Sequence, residues 1–192
     1  MTGQLSISPA ERRDAAELAV LIDVASHGFA SWLWYGAVMK GTVDTAFERG
    51  RAKMREDEPG AWRSGVLAEW DGEVAGMSIA YDLDESVRDS VAQHPVIEPL
   101  LVLQRTVVGN RFIDSLGVYK HHRGKGIGRA LLEWEFAAAN GRPVSLITES
   151  YNETALSLYR RNGFAEVERV DAVPLSENSK RHAWVLLTRN VS

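Results

Sequence analysis

The sequence predicts a single α/β domain spanning residues 1–192. Three observations carry that expectation: strands and helices alternate through the C-terminal half, an Asp-Gly hairpin precedes them, and no linker, repeat or low-complexity tract divides the chain. The length suits one domain and is long enough to bury a sizeable core.

From the N-terminus, Leu5-Ser6-Ile7 reads as a short strand. Ser8-Pro9-Ala10-Glu11 reads as a helix start, with Ser8 as N-cap, Pro9 in the first helical position and Glu11 closing a capping box. Ala15, Leu18, Ala19 and Ile22 follow at helical spacing. The run Phe29-Ala30-Ser31-Trp32-Leu33-Trp34-Tyr35 is too aromatic for a plain linker, and a polar helix is expected from about Thr42 to Asp57, ended by Glu58-Pro59-Gly60. Val66–Trp70 and Glu73–Tyr81 flank Asp71-Gly72, a pair that supplies the positive φ angles of a tight turn. Residues 84–108 suggest a loop and one short helix, interrupted by Pro95 and Pro99.

The alternation then becomes clean. Arg111–Val118 is a strand, Lys125–Asn140 a helix with Ile127, Ala130, Leu131, Trp134 and Ala138 on one stripe, Pro143–Glu149 a strand and Asn152–Asn162 a helix. Phe164–Val170 and Trp184–Thr188 complete a mixed sheet of six to seven strands flanked by helices.

Composition excludes several chemistries. The chain has no cysteine, which removes disulfides, thiol catalysis and thiolate zinc sites. The first residues carry no basic segment followed by an apolar run, and no long stretch is free of charge, so a cytoplasmic protein without a membrane partner is expected. With 22 Lys+Arg against 26 Asp+Glu the net charge is −4, which disfavours nucleic acid as the main partner. Lys120-His121-His122-Arg123-Gly124-Lys125 is a cationic exception beside glycines. His121 and His122 have no Glu-x-x-His partner, so no metal site is expected there.

Arg123-Gly124-Lys125-Gly126-Ile127-Gly128 lies between the strand ending at Val118 and the next helix. Glycines let backbone N–H groups face a ligand, and a helix start carries unpaired N–H groups with a partial positive charge. Together they suit a phosphate or pyrophosphate. The dinucleotide pattern fails because Arg129 stands three residues after Gly126, and the Walker pattern fails because Gly126 follows Lys125.

The remaining pattern, Arg-x-x-Gly-x-Gly behind Leu116-Gly117-Val118, resembles the pyrophosphate loop of the GNAT superfamily of acetyl-CoA-dependent N-acetyltransferases. Asn152, Ala155, Leu158-Tyr159 and Gly163-Phe164 match its second signature, so the specific resemblance covers about residues 111–165. Lys120 stands where relatives often carry Pro.

The resemblance implies a mixed, mostly antiparallel sheet whose strands splay around the cofactor arm. It implies acetyl-CoA as cofactor, without metal, with backbone contacts from Leu116, Gly117 and Val118 to the pantetheine arm. Gly124, Lys125, Gly126, Ile127, Gly128 and Arg129 would hold the pyrophosphate with charge from Arg123 and Lys125, and Asn152 would reach the pantetheine amide. Tyr159 is implied as general acid toward the departing thiolate. Each has a bland alternative: Tyr159 as a core aromatic, Asn152 as a helix cap competing with a Ser150/Glu153 capping box, and Gly163-Phe164 as a helix stop.

For the general base, Asp114 is favoured because it shares a strand face with Leu116 and Val118. Glu149, Ser150, Glu69 and a water chain are the alternatives. The expected reaction is direct acetyl transfer to a primary amine of a small molecule; the alternative is a non-catalytic acyl-CoA-binding regulator of the same fold. Phe29, Trp32, Trp34 and Tyr35 are candidates for the acceptor pocket or for the core. Homodimers are common in the family, and no motif here decides that partner.

Overall fold

The computed structural model describes residues 3–190. Among these described residues, seven strands and six α-helices follow the order β1 (Leu5–Pro9), α1 (Ala15–Ala25), α2 (Phe29–Met39), α3 (Ala46–Met54), β2 (Gly65–Trp70), β3 (Glu73–Asp82), α4 (Glu98–Arg105), β4 (Arg111–Val118), α5 (Ile127–Ala138), β5 (Val144–Glu149), α6 (Glu153–Arg161), β6 (Ala165–Asp171) and β7 (Ala183–Arg189). The strands form an open mixed α/β sheet in the order β1-β2-β3-β4-β5-β7-β6. Two compact units divide the chain, Met1–Tyr81 with Asp114–Glu133 and Asp82–Ile113 with Trp134–Ser192.

In the first unit, β1 and β3 both pair antiparallel with β2. Asp71 at φ 55° and Gly72 at φ 82° make the expected tight turn between β2 and β3. Leu18, Leu21, Ile22, Trp34, Met54, Leu67, Met77 and Ile79 form one buried cluster. Ser8 and Pro9 do not begin a helix. They continue β1 opposite Leu67 and Val66. The helix start lies later, where the Glu11 N–H donates to Asp14 at 2.7 Å in a capping box that opens a 3-10 turn before α1. Ladder pairing along β2 thus outweighs the Ser-Pro signal.

The aromatic run is helix α2, and the polar helix is shorter than expected because Thr45 caps it by accepting from the Glu48 N–H at 3.1 Å. Trp34 is buried over Gly50, where a Cβ would stand 2.5 Å from the indole. Trp32 and Tyr35 are exposed. The segment is therefore divided between core and surface by helical period.

In the second unit, β4 and β5 are parallel through Arg111↔Val144, Phe112↔Ser145 and Ile113↔Leu146. β7 pairs antiparallel with both β5 and β6. Ala183–Leu187 are consecutively buried, as befits an interior strand. Glu135 on α5 is only 1% exposed and takes two guanidinium nitrogens of Arg111 at 2.7 and 2.8 Å. Asp82 stands 3.6 Å from the same guanidinium and 2.5 Å from that of Arg142. Removing one member of a buried pair leaves the other charge stranded, at a cost of about 3–5 kcal/mol. Arg111→Ala is therefore expected to lower unfolding free energy by about that amount in urea titration. A loss under about 1 kcal/mol, as for a surface pair, would show that the pair does not hold α5 to β4.

Candidate active site

The chemistry-bearing residues of the first unit follow one another along β4 and the loop into α5. Glycine is required at two places on the way. A Cβ at Gly117 would meet the Leu21 carbonyl oxygen of α1 at 2.8 Å, and one at Gly76 would meet the Gly117 oxygen at 2.6 Å. Gly117 thus lets α1 lie close on β4, a packing duty in addition to any ligand contact. Side chains alternate along a strand, so Asp114, Leu116 and Val118 point away from the face that meets α1.

Beyond Val118 the chain makes a 3-10 turn at Lys120–His122 and enters the glycine loop. Gly124 and Gly126 have φ of 80° and 83°, with open space where each Cβ would lie. Left-handed residues on either side of Lys125 belong to the backbone pattern from which anion nests are built. Among the described residues, the N–H groups of Gly124, Lys125, Gly126, Ile127, Gly128 and Arg129 donate to no protein acceptor; pairing resumes with Ala130 N–H to the Gly126 carbonyl at 3.1 Å. A helix start alone leaves four such groups. Six in a row fit a pyrophosphate, which offers acceptor oxygens and negative charge at the positive end of α5.

The nearby cations are engaged within the protein. Arg123 Nε donates to the Val118 carbonyl at 3.0 Å, Lys125 Nζ lies 3.2 Å from His122 Nδ1, and Arg129 pairs with Glu133 at 2.8 Å. The loop therefore presents amides first. Asp114 is exposed and accepts from Tyr81 Oη at 3.3 Å and Ser115 Oγ at 3.1 Å. Tyr81 has no motif signal in the sequence, because its relation to Asp114 exists only through the fold. Tyr119 donates to Glu17 at 2.6 Å, and burial followed by that hydrogen bond and charge pushes its phenol well above the ordinary value.

In the second unit, Tyr159 on α6 is buried and packs edge-on against Phe164, with ring centroids 5.7 Å apart. Burial, then the charge of Glu149, pushes its phenol well above the ordinary value, so it keeps its proton at neutral pH. Glu149, at the end of β5, is itself buried. Asn152 is the N-cap of α6 and accepts from the Ala155 N–H at 3.2 Å, while its Nδ2 donates to Thr148 at 3.5 Å. The competing capping box is absent, since Ser150 Oγ instead accepts from the Ala183 N–H at 3.1 Å. Gly163, at φ 85°, ends α6, and Phe164 N–H closes back on the Tyr159 carbonyl at 3.1 Å.

The family model described as the acetyltransferase (GNAT) family matches residues 34–164. The chain belongs to the GNAT acetyltransferase family. Structural similarity agrees at the level of fold. An N-acetyltransferase from Staphylococcus aureus Mu50 superposes with a TM-score of 0.63 at 18% identity, covering 95% of this chain and 99% of the other. The ribosomal-protein-S18-alanine N-acetyltransferase of Escherichia coli gives 0.60 at 17%, covering 98% and 96%. Arabidopsis thaliana Naa50, solved with a bisubstrate analogue CoA-Ac-MVNAL, gives 0.58 at 14%, covering 97% and 99%. No curated protein matches the chain. GNAT membership supports acyltransferase activity, with acetyl-CoA the cofactor expected of the family, and the six amides suit its pyrophosphate. No helix among the described residues is long and apolar enough to cross a membrane.

Alanine at Gly126 has room for its Cβ but not for its backbone angle, which costs about 1–2 kcal/mol to hold. Gly126→Ala is thus expected to weaken coenzyme A binding at least tenfold in calorimetry while the rest of the fold remains. Wild-type affinity in that variant would remove the loop from the binding site.

Proposed function

We propose that the protein is an acetyl-CoA-dependent N-acetyltransferase that acetylates a primary amine of a small molecule by direct attack in a ternary complex. The observation that carries this reading is the run of six amides from Gly124 to Arg129, at the head of α5, that have no protein acceptor among the described residues. These amides hold the pyrophosphate. The backbone of Leu116, Gly117 and Val118 receives the pantetheine arm, and the second hydrogen of Asn152 Nδ2 reaches its amide while Oδ1 caps α6. Arg123 and Lys125 add positive charge beside the loop.

Acetyl-CoA supplies a thioester, an acyl group activated toward nitrogen nucleophiles. Asp114 takes the proton from the amine, and its two hydroxyl partners, Tyr81 and Ser115, fix the carboxylate's orientation. Tyr159 gives its hydroxyl proton to the departing sulfur. Its raised pKa supports that duty by keeping the proton in place, and no described residue shares a hydrogen bond with its hydroxyl. The absence of cysteine removes a thiol acyl-enzyme route.

A thiol-release assay with acetyl-CoA and a panel of small amines tests the reading. Turnover is expected with at least one amine, falling about 10²-fold or more in Tyr159→Phe at saturating cofactor, with little change in thermal midpoint. Tight coenzyme A binding without turnover on any amine would favour the non-catalytic regulator instead. A second measurement addresses the base: Asp114→Asn should alter the pH–rate profile, and an unchanged profile would transfer the role to Glu149, Ser150, Glu69 or water.

A further inference from the structure

We propose that Glu73, His121 and His122 form a binding site for a divalent transition metal of the zinc class. Sequence spacing gave no reason to expect one, because neighbours along the chain offer only two adjacent histidines. The tight Asp71-Gly72 turn brings Glu73, the first residue of β3, to them. His121 Nε2 lies 3.8 Å from one carboxylate oxygen and His122 Nε2 lies 3.6 Å from the other. One ligand atom from each of the three residues falls within 4.8 Å of the others. Tetrahedral zinc with bonds near 2.0–2.2 Å needs ligand atoms about 3.4 Å apart, so small side-chain adjustments close the site. Two imidazoles and a carboxylate suit zinc, and the fourth position is left to water.

Two observations distinguish this trio from an ordinary surface cluster. His122 is 4% exposed, yet its buried Nε2 has no hydrogen-bond partner among the described residues. A buried polar atom left unpaired is costly, and a metal ion would satisfy it. The other ring is positioned in advance: His121 stacks on Tyr119 with centroids 6.0 Å apart, and Tyr119 is anchored to Glu17 at 2.6 Å. Such outer partners fix the orientation of a ligand.

Lys125 sets the condition for binding. Its Nζ lies 3.2 Å from His122 Nδ1, an arrangement in which the lysine donates and the ring carries its proton on Nε2. Metal binding requires that proton to leave Nε2 and Nδ1 to take one. Lys125 must then turn away from the ring, toward solvent or the adjacent glycine loop.

Zinc chloride titrated calorimetrically into the untagged, chelator-treated chain tests the site without reference to acetyl transfer. One ion per chain is expected, with affinity lost by more than the about 10–100-fold typical of an outer-partner change in either Glu73→Gln or His121→Ala. Both residues are exposed, so the variants should retain the fold. Lys125→Met should bind zinc more tightly than the parent, because the competing donor is gone. Absence of zinc binding, or parental affinity in Glu73→Gln and His121→Ala, would overturn the proposal.

Discussion

Six consecutive backbone N–H groups, Gly124 to Arg129, have no protein acceptor among the described residues, and they constrain everything around them. Buried or half-buried amides are normally paired, so a run of this length persists only where solvent or a ligand can reach it. Two left-handed glycines lie within this run, and the start of α5 adds the positive end of its dipole. The same loop is fixed at its upstream end by Arg123, whose Nε returns to the Val118 carbonyl at 3.0 Å. Strand end, loop and helix start therefore behave as one shaped element.

The strand that feeds this loop is located by close backbone approach. Gly117 lets α1 pass over β4, and Gly76 admits the Gly117 carbonyl beside it, so two absent side chains define where Asp114, Leu116 and Val118 emerge. In the second unit the positioning is electrostatic. Arg111 at the start of β4 neutralises Glu135 of α5, while Asn110, Ser145 and Thr188 form a polar chain across neighbouring strands with links of 2.7 and 2.8 Å. Different physics fixes the two units, and β4 and α5 contribute to both.

Much of this was legible in the chain because it is local. The Asp-Gly turn, the strand from Arg111, the glycine loop and the stop at Gly163 each depend on residues within a few positions, so spacing alone identified them. Ser8-Pro9 misled because a helix signal was outweighed by pairing with β2, some 58 residues away in sequence (Ser8 against Leu67 and Pro9 against Val66, separations of 59 and 57). Tyr81 beside Asp114 and Glu73 beside His121 were invisible for the same reason: contacts between segments far apart in the chain leave no spacing to read. Asn152 caps α6 through its Oδ1, which accepts from the Ala155 amide, and a cap and a ligand contact ask for the same residue at the same place, so spacing could not separate them. The aromatic run could not be divided into core and surface before its helical phase was known.

In the proposed function, backbone amides hold the cofactor's pyrophosphate more than the cationic side chains do. Amide NMR spectra recorded while coenzyme A is titrated into the protein test it most directly. Saturable shifts are expected at the amides of Gly124, Lys125, Gly126, Ile127, Gly128 and Arg129, following a single binding isotherm. Binding that leaves those six resonances in place while others move would contradict it.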